Sequence, residues 1–342
     1  SLAFALIVVF APLGVRVFSD QPDVESWFIL YGVLVLINLI YESTDGMLQV
    51  FDRFSHKAII DAIQSVVRVS LTVIVFITGG GIFEIVLAEL AGRFVRALLM
   101  AIDAFQLAGQ RWGADWWRTP LAVLKDDRRQ LFKFASSTNL SATINLIAKG
   151  HDSLWVSAFL GNAITGYYSL ALGIIGFLHI PISPLPDTTY PELSRAVAKR
   201  DWQSVGVILR RGSFLAALYS LPIALILIVF GQPIIGLYAG PEYDPAIAYV
   251  PLVILIIGYT FNNIFYWNRK ALLSLDRPVF PTVVDFTGML LKVAGIFLFA
   301  VMYGQVVFAI LMAGYYIFTV GIAVIRVVLD LRRNLQTDPA PA

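Results

Sequence analysis

The sequence predicts an all-α, polytopic membrane protein. Three observations carry this. Of 342 residues, 58% are hydrophobic and only 14% are charged, against about 25% charged in soluble domains. Mostly apolar stretches of roughly 20 residues, the length that crosses a bilayer, recur along the chain. The basic residues collect in every second connection between those stretches, as they do in membrane-spanning chains. A soluble chain of this composition would expose large adhesive patches.

The elements follow in order. The first apolar run covers 1–18, and Ser1 leads straight into it with neither Met nor a basic n-region. The chain therefore reads as a fragment whose natural start lies upstream rather than as one with a signal peptide. Further spans are predicted over 27–51, 58–77 and 82–104. Residues 106–135 form a long connection with Trp112, Trp116, Trp117 and the run Lys125-Asp126-Asp127-Arg128-Arg129, a composition that suits an interfacial amphipathic helix. Six more spans are read over 136–159, 164–185, 207–230, 246–267, 280–301 and 306–329. About ten helices are thus visible. They divide into a partial N-terminal bundle of four over 1–105, the linker 106–135, a six-helix bundle over 136–335 and a tail at 336–342.

Orientation comes from the loops. Those after the second, fourth, sixth and eighth spans, with the tail, hold most of the 25 Lys and Arg residues; the opposite loops hold none. By the positive-inside rule both termini are cytoplasmic. A cysteine placed in 106–135 should then be protected from an impermeant thiol reagent in intact cells, and one at Pro241 should react. Labelling of the linker from outside would overturn the orientation.

The charges inside the spans are the informative ones. Each costs about 2.5–3.5 kcal/mol near a helix centre unless it faces protein or water. Asn38, Glu42, Asp45, Gln49 and Asp52 form one stripe at helical spacing. Asp61, Gln64, Arg68 and Thr72 form a second, and Glu89, Arg93 and Arg96 share a side of the next span. Lys149 and Asp152 lie three apart, and Asp285 and Lys292 seven apart, while Tyr259, Asn262, Asn263 and Tyr266 make an amide and aromatic face. Structural ion pairs such as Glu89 with Arg93 or Asp61 with Arg68 account for single residues. The set as a whole points to a hydrated, cation-lined path for an anion, because guanidinium holds phosphate through two parallel hydrogen bonds. The substrate-binding candidates are Arg68, Arg93, Arg96, Lys149, Asn262, Tyr266 and Lys292; the ion-coupling candidates are Asp152, Asp45 and Glu42. Asp152 and Lys149 are expected on one helix face, with Asp152 gaining a proton when an anion engages Lys149.

Chemistry beyond binding finds little support. The absence of cysteine removes disulfides and thiolate catalysis. His56 and Asp61 match an H-x4-D acyltransferase spacing, but the downstream phosphate motif is missing and the pair straddles a loop-to-helix junction. His151 reads as cavity-lining, and His179, ahead of Pro181, Pro184 and Pro186, marks a helix distorted by prolines. Asn139-Leu140-Ser141 is an accidental glycosylation triplet, and no P-loop exists. The chain is expected to be no enzyme, and no metal or cofactor is implied. A charge of +2 is too small for a nucleic-acid binder.

Residues 134–202 carry a more specific signal: Asp152-Ser153-Leu154-Trp155, Phe159-Leu160-Gly161-Asn162, Thr165-Gly166-Tyr167-Tyr168, and Tyr190-Pro191-Glu192-Leu193-Ser194-Arg195. These resemble the Wzx-type polysaccharide and O-antigen transporters of the multidrug/oligosaccharidyl-lipid/polysaccharide (MOP) exporter superfamily. Ala239 to Tyr243 and Asn268 to Pro278 also fit. The resemblance implies a two-bundle, MATE-like fold around a central cavity that opens to alternate sides, with the first bundle here lacking two helices. It implies a flippase of the bacterial inner membrane, moving a polyprenyl-diphosphate-linked oligosaccharide for surface polysaccharide synthesis, surrounded by membrane lipids and partnered by a polysaccharide polymerase. Two alternatives stand beside it: an ion-coupled exporter of small drugs from the same superfamily, and an integral-membrane glycosyltransferase or polymerase.

Overall fold

The computed structural model describes residues 24–51, 53–120, 127–129, 140, 143–240 and 243–337. The apolar run expected over 1–18, with Asp52, Asn139, Pro241 and the side chain of Gln49, lies outside the described residues. Every long element is helical, with no strand among the described residues. The chain forms two compact units, Ser1–Leu131 and Phe132–Ala342.

The first unit contains α1 (Val24–Val50), α2 (Phe54–Ile77) and α3 (Ile82–Trp112). The glycine triplet closes the α2–α3 turn because Gly79 takes φ +70°, a conformation other residues rarely adopt. Glu84 then accepts the Gly81 N–H at 2.7 Å and starts α3. Gly92 lets α3 pass close to α2, since a Cβ there would come within 3.1 Å of the Arg68 Cβ. Helix α3 runs past its expected end at 104, so residues 106–112 extend it and do not open a separate interfacial helix. Gly113 stops it with φ +91°. One 3₁₀ turn follows at Trp116–Arg118, where Trp112 packs edge-on to Trp116 at 6.0 Å.

The second unit opens on a π-helical turn, Leu146–Gly150. It continues through α4 (Asp152–His179), α5 (Leu185–Ala198), α6 (Trp202–Ala239), α7 (Pro245–Ile264), α8 (Asn268–Ser274), α9 (Val279–Tyr303) and α10 (Gln305–Thr337). Gly161, at φ +79° and ψ 173°, breaks α4 between the two spans read from the sequence. The expected helix over 164–185 ends instead at His179, because Pro181 and Pro184 have no N–H to continue the ladder. Helix resumes at Leu185 with Pro186 in the first turn, where that N–H is not needed. The span expected over 246–267 likewise splits, at the turn Phe265–Trp267, into α7 and α8. At the start of α6 the Asp201 carboxylate accepts the Ser204 N–H at 3.0 Å. This holds its pKa below the ordinary value, so the cap is intact at neutral pH and lost on acidification.

Among the described residues, six helical stretches are long and apolar enough to cross a membrane: 55–77, 152–179, 202–239, 245–274 (α7 through α8), 279–303 and 305–337. Their outward faces carry exposed apolar side chains such as Phe76, Leu237 and Val301. The chain is a multi-pass membrane protein. Helix α3 is long enough but carries too many charges, Glu84, Glu89, Arg93, Arg96 and Asp103 among them, to qualify on composition. Without a hydrophobic force between helices in lipid, close contact comes from small residues. Gly258 of α7 meets α10 so closely that a Cβ would lie 2.5 Å from the Ala313 Cα. The core of this unit gathers Tyr168, Leu252, Ile256, Ile296, Phe308 and Met312.

Candidate functional site

In the first unit the predicted stripes meet as ion pairs. The Arg96 Nε lies 2.7 Å from Asp61, and its terminal nitrogen donates to the Tyr41 hydroxyl at 2.7 Å. Arg93 binds Glu89 at 2.7 Å, and Arg68 approaches the same carboxylate at 3.7 Å. Two guanidiniums thus share one carboxylate, which leaves one positive charge in excess on side chains that are 45% and 37% exposed. Asp45 is buried and pairs with Lys57 at 2.6 Å; Glu42 is exposed. His56 faces Asp103 at 3.2 Å, while Asp61 faces Arg96. The H-x4-D pair is therefore not a dyad.

The second unit separates residues that the spacing suggested would work together. Lys149 belongs to the π turn, and His151 then leaves helical geometry at φ −124° and ψ 29°. Asp152 and Lys149 consequently do not share a face. Asp152 is paired with Lys292 from α9, and both are 2% exposed. Lys292 also donates to the Ala148 carbonyl at 2.5 Å, in the π turn, where a wider turn frees carbonyls from the helical ladder. The buried Tyr168 hydroxyl donates to the other Asp152 oxygen at 2.9 Å. Lys292, expected on the substrate path, is instead enclosed, and Asp285 seven residues away points elsewhere.

That other destination is a cavity of about 210 Å³ lined by Lys149, Asn262, Tyr266, Arg269, Lys270 and Asp285, among others. The Lys149 ammonium stands 5.4 Å from both the Tyr315 and Tyr316 rings, a cation–π arrangement that holds it without a counter-ion. Asp285 accepts from Arg269 at 3.0 Å and from the Tyr315 hydroxyl at 3.4 Å. Lys270 lies over the Tyr190 ring at 5.3 Å. Three cations therefore face one carboxylate. The amide of Asn262 and the Tyr266 phenol add neutral donors and acceptors beside them. Such a cavity can hold an anion through its cations and hydroxyl groups through its amides.

Neighbouring elements set this geometry. Asn263 donates to the Leu178 carbonyl at 3.0 Å and meets His179 at 2.9 Å, so it ties the end of α4 to α7. Tyr266 meets Thr189 of α5 at 3.0 Å. It fits because position 212 on α6 has no side chain: a Cβ there would stand 2.6 Å from the Tyr266 oxygen. Gly212→Ala should cost about 1–3 kcal/mol by overpacking. Adding Tyr266→Phe, which removes the colliding oxygen, should recover most of that loss in a thermal-melting comparison; no recovery would place the strain elsewhere.

Sequence reasoning missed Arg269 and Lys270, reading them as loop charges. The signal was present, since 259, 262, 266 and 269 or 270 continue one helical spacing beyond the predicted end of the span.

A family model described as "Polysaccharide biosynthesis protein" matches residues 1–248. The chain belongs to that family. The resemblance to polysaccharide-biosynthesis proteins read from residues 134–202 agrees with it. No curated protein matches the chain in sequence. In fold, it is similar to an inward-facing multidrug resistance MATE family transporter of the MOP superfamily. That likeness has 14% identity and a TM-score of 0.78, covering 98% of this chain and 79% of the other. It is also similar to the lipid II flippase MurJ in an inward closed conformation, at 14% identity and TM-score 0.71, covering 97% and 71%. A third likeness is to a MOP superfamily transporter from Pyrococcus furiosus, at 13% identity and TM-score 0.63, covering 97% and 76%. At these identities the likeness is one of fold. With its helices of bilayer length, the chain is a multi-pass membrane protein of the polysaccharide biosynthesis family.

Proposed function

We propose that the chain is a flippase that turns a lipid-diphosphate-linked oligosaccharide from the inner to the outer leaflet of the bacterial inner membrane, with no covalent chemistry. Both termini are cytoplasmic in this reading, from the distribution of basic loops. The observation that carries it is the cavity of the second unit, where Lys149, Arg269 and Lys270 outnumber Asp285 beside Asn262 and Tyr266. The cations suit a diphosphate, and the amide and phenol suit sugar hydroxyls. Arg68 and Arg93, with one charge more than Glu89 neutralises, offer a further anion contact in the first unit. The family's place in polysaccharide biosynthesis supports the substrate class. So does the likeness to MurJ, a flippase of lipid II. A polysaccharide polymerase is the partner this reading expects downstream.

The second reading, an ion-coupled exporter of small cationic drugs, draws on the MATE likeness. The cavity speaks against it, because its one carboxylate is already held by Arg269. A leaflet assay in proteoliposomes separates the two. Lipid-diphosphate oligosaccharide should become accessible to an external glycosidase only when the protein is present, and a cationic dye should not accumulate. The converse pattern would replace the flippase reading with the exporter.

A further inference from the structure

Arg210 and Arg211 take no part in the site described above. Both are exposed on α6, and neither has a partner among the described residues. With Val207, Phe214 and Leu215 they line a groove of about 490 Å³. The apolar face of α6 begins immediately after them: Phe214, Leu215, Leu218, Leu221 and Leu225 are 54–65% exposed. In a multi-pass protein these side chains meet lipid, so the two arginines stand where hydrocarbon gives way to headgroups.

Length supports that placement. At 38 residues, α6 spans roughly 57 Å at 1.5 Å per residue, well beyond a hydrocarbon core of about 30 Å. Its first turns therefore project from the membrane on the side of Lys199 and Arg200, which are also exposed. Neighbouring helix positions differ by about 100°, so the two guanidiniums flank the groove instead of stacking. Arginines that merely snorkel to water need no apolar groove between them. Here two cations and three apolar side chains line one groove, the profile of a phosphate with acyl chains attached.

We propose that this groove binds an anionic phospholipid, with its phosphate between Arg210 and Arg211 and its chains along Phe214, Leu215 and Leu218. The test is native mass spectrometry of the full chain in detergent, supplied with phosphatidylglycerol or phosphatidylcholine. A phosphatidylglycerol adduct should survive collision energies that strip phosphatidylcholine. R210Q/R211Q should lower its occupancy about tenfold with the melting temperature unchanged, and each single variant should lose part of the preference. Equal retention of the two lipids, or a double variant that holds phosphatidylglycerol as the parent does, would overturn the proposal. Displacement of the adduct by millimolar pyrophosphate would also overturn it, by assigning the groove to a soluble phosphate.

Discussion

Lys292→Ala is expected to lower stability by about 3–5 kcal/mol, because it leaves the Asp152 carboxylate buried without its cation. The environment offers no substitute: Asp152 would keep only the Tyr168 hydroxyl, and Ala148 in the π turn would lose its donor. Asp152→Ala should cost a similar amount by stranding the ammonium. The double change Asp152→Asn with Lys292→Met should recover most of either loss, since an apolar chain of like length removes both desolvation penalties together. Thermal melting in detergent, read against membrane abundance, checks this. A loss below about 1 kcal/mol, the range of exposed pairs, would mean that the pair is hydrated. The result also bears on coupling. A proton reaching Asp152 during transport must displace Lys292, not Lys149 as the spacing alone suggested.

Lys149→Gln is expected to behave in the opposite way, costing transport and not stability. Lys149 makes no ion pair among the described residues and rests on the Tyr315 and Tyr316 rings, so its removal strands no buried charge. A hydrogen bond to a charged group contributes about 1.5–3 kcal/mol, which predicts a ten- to hundredfold fall in flipping rate. Surface polysaccharide should drop while the quantity of protein in the membrane holds. Parallel loss of both would make Lys149 a structural residue and leave the anion contact to Arg269 and Lys270.

Much of the fold was legible because bilayer-length apolar runs leave few alternatives. The spans over 27–51, 58–77, 280–301 and 306–329 correspond to α1, α2, α9 and α10, with most ends within four residues and α10 continuing to Thr337. Boundaries failed where backbone chemistry overrode hydrophobicity. Pro181 and Pro184 divided α4 from α5, and the turn at Phe265–Trp267 divided α7 from α8. The site was half legible. Helical spacing identified Lys149, Asn262 and Tyr266 as polar faces, and all three line the cavity. It also assigned Lys149 to Asp152, which a regular helix would allow and a π turn does not. Spacing within one helix says nothing about partners on another. Lys292, 140 residues beyond Asp152, could be paired with it only by the packing of α9 against the start of α4.

The charge pairing of the first unit also constrains how it enters the bilayer. Asp45 on α1 meets Lys57 at the start of α2, and Asp61 on α2 meets Arg96 on α3. No helix in this set is neutralised until its neighbour arrives. Released singly into lipid, each would bear a cost of about 2.5–3.5 kcal/mol for every charge near its centre. Held together, they pair Asp45 with Lys57 and Asp61 with Arg96. The bilayer therefore accommodates these helices at lower cost as a paired set than one at a time.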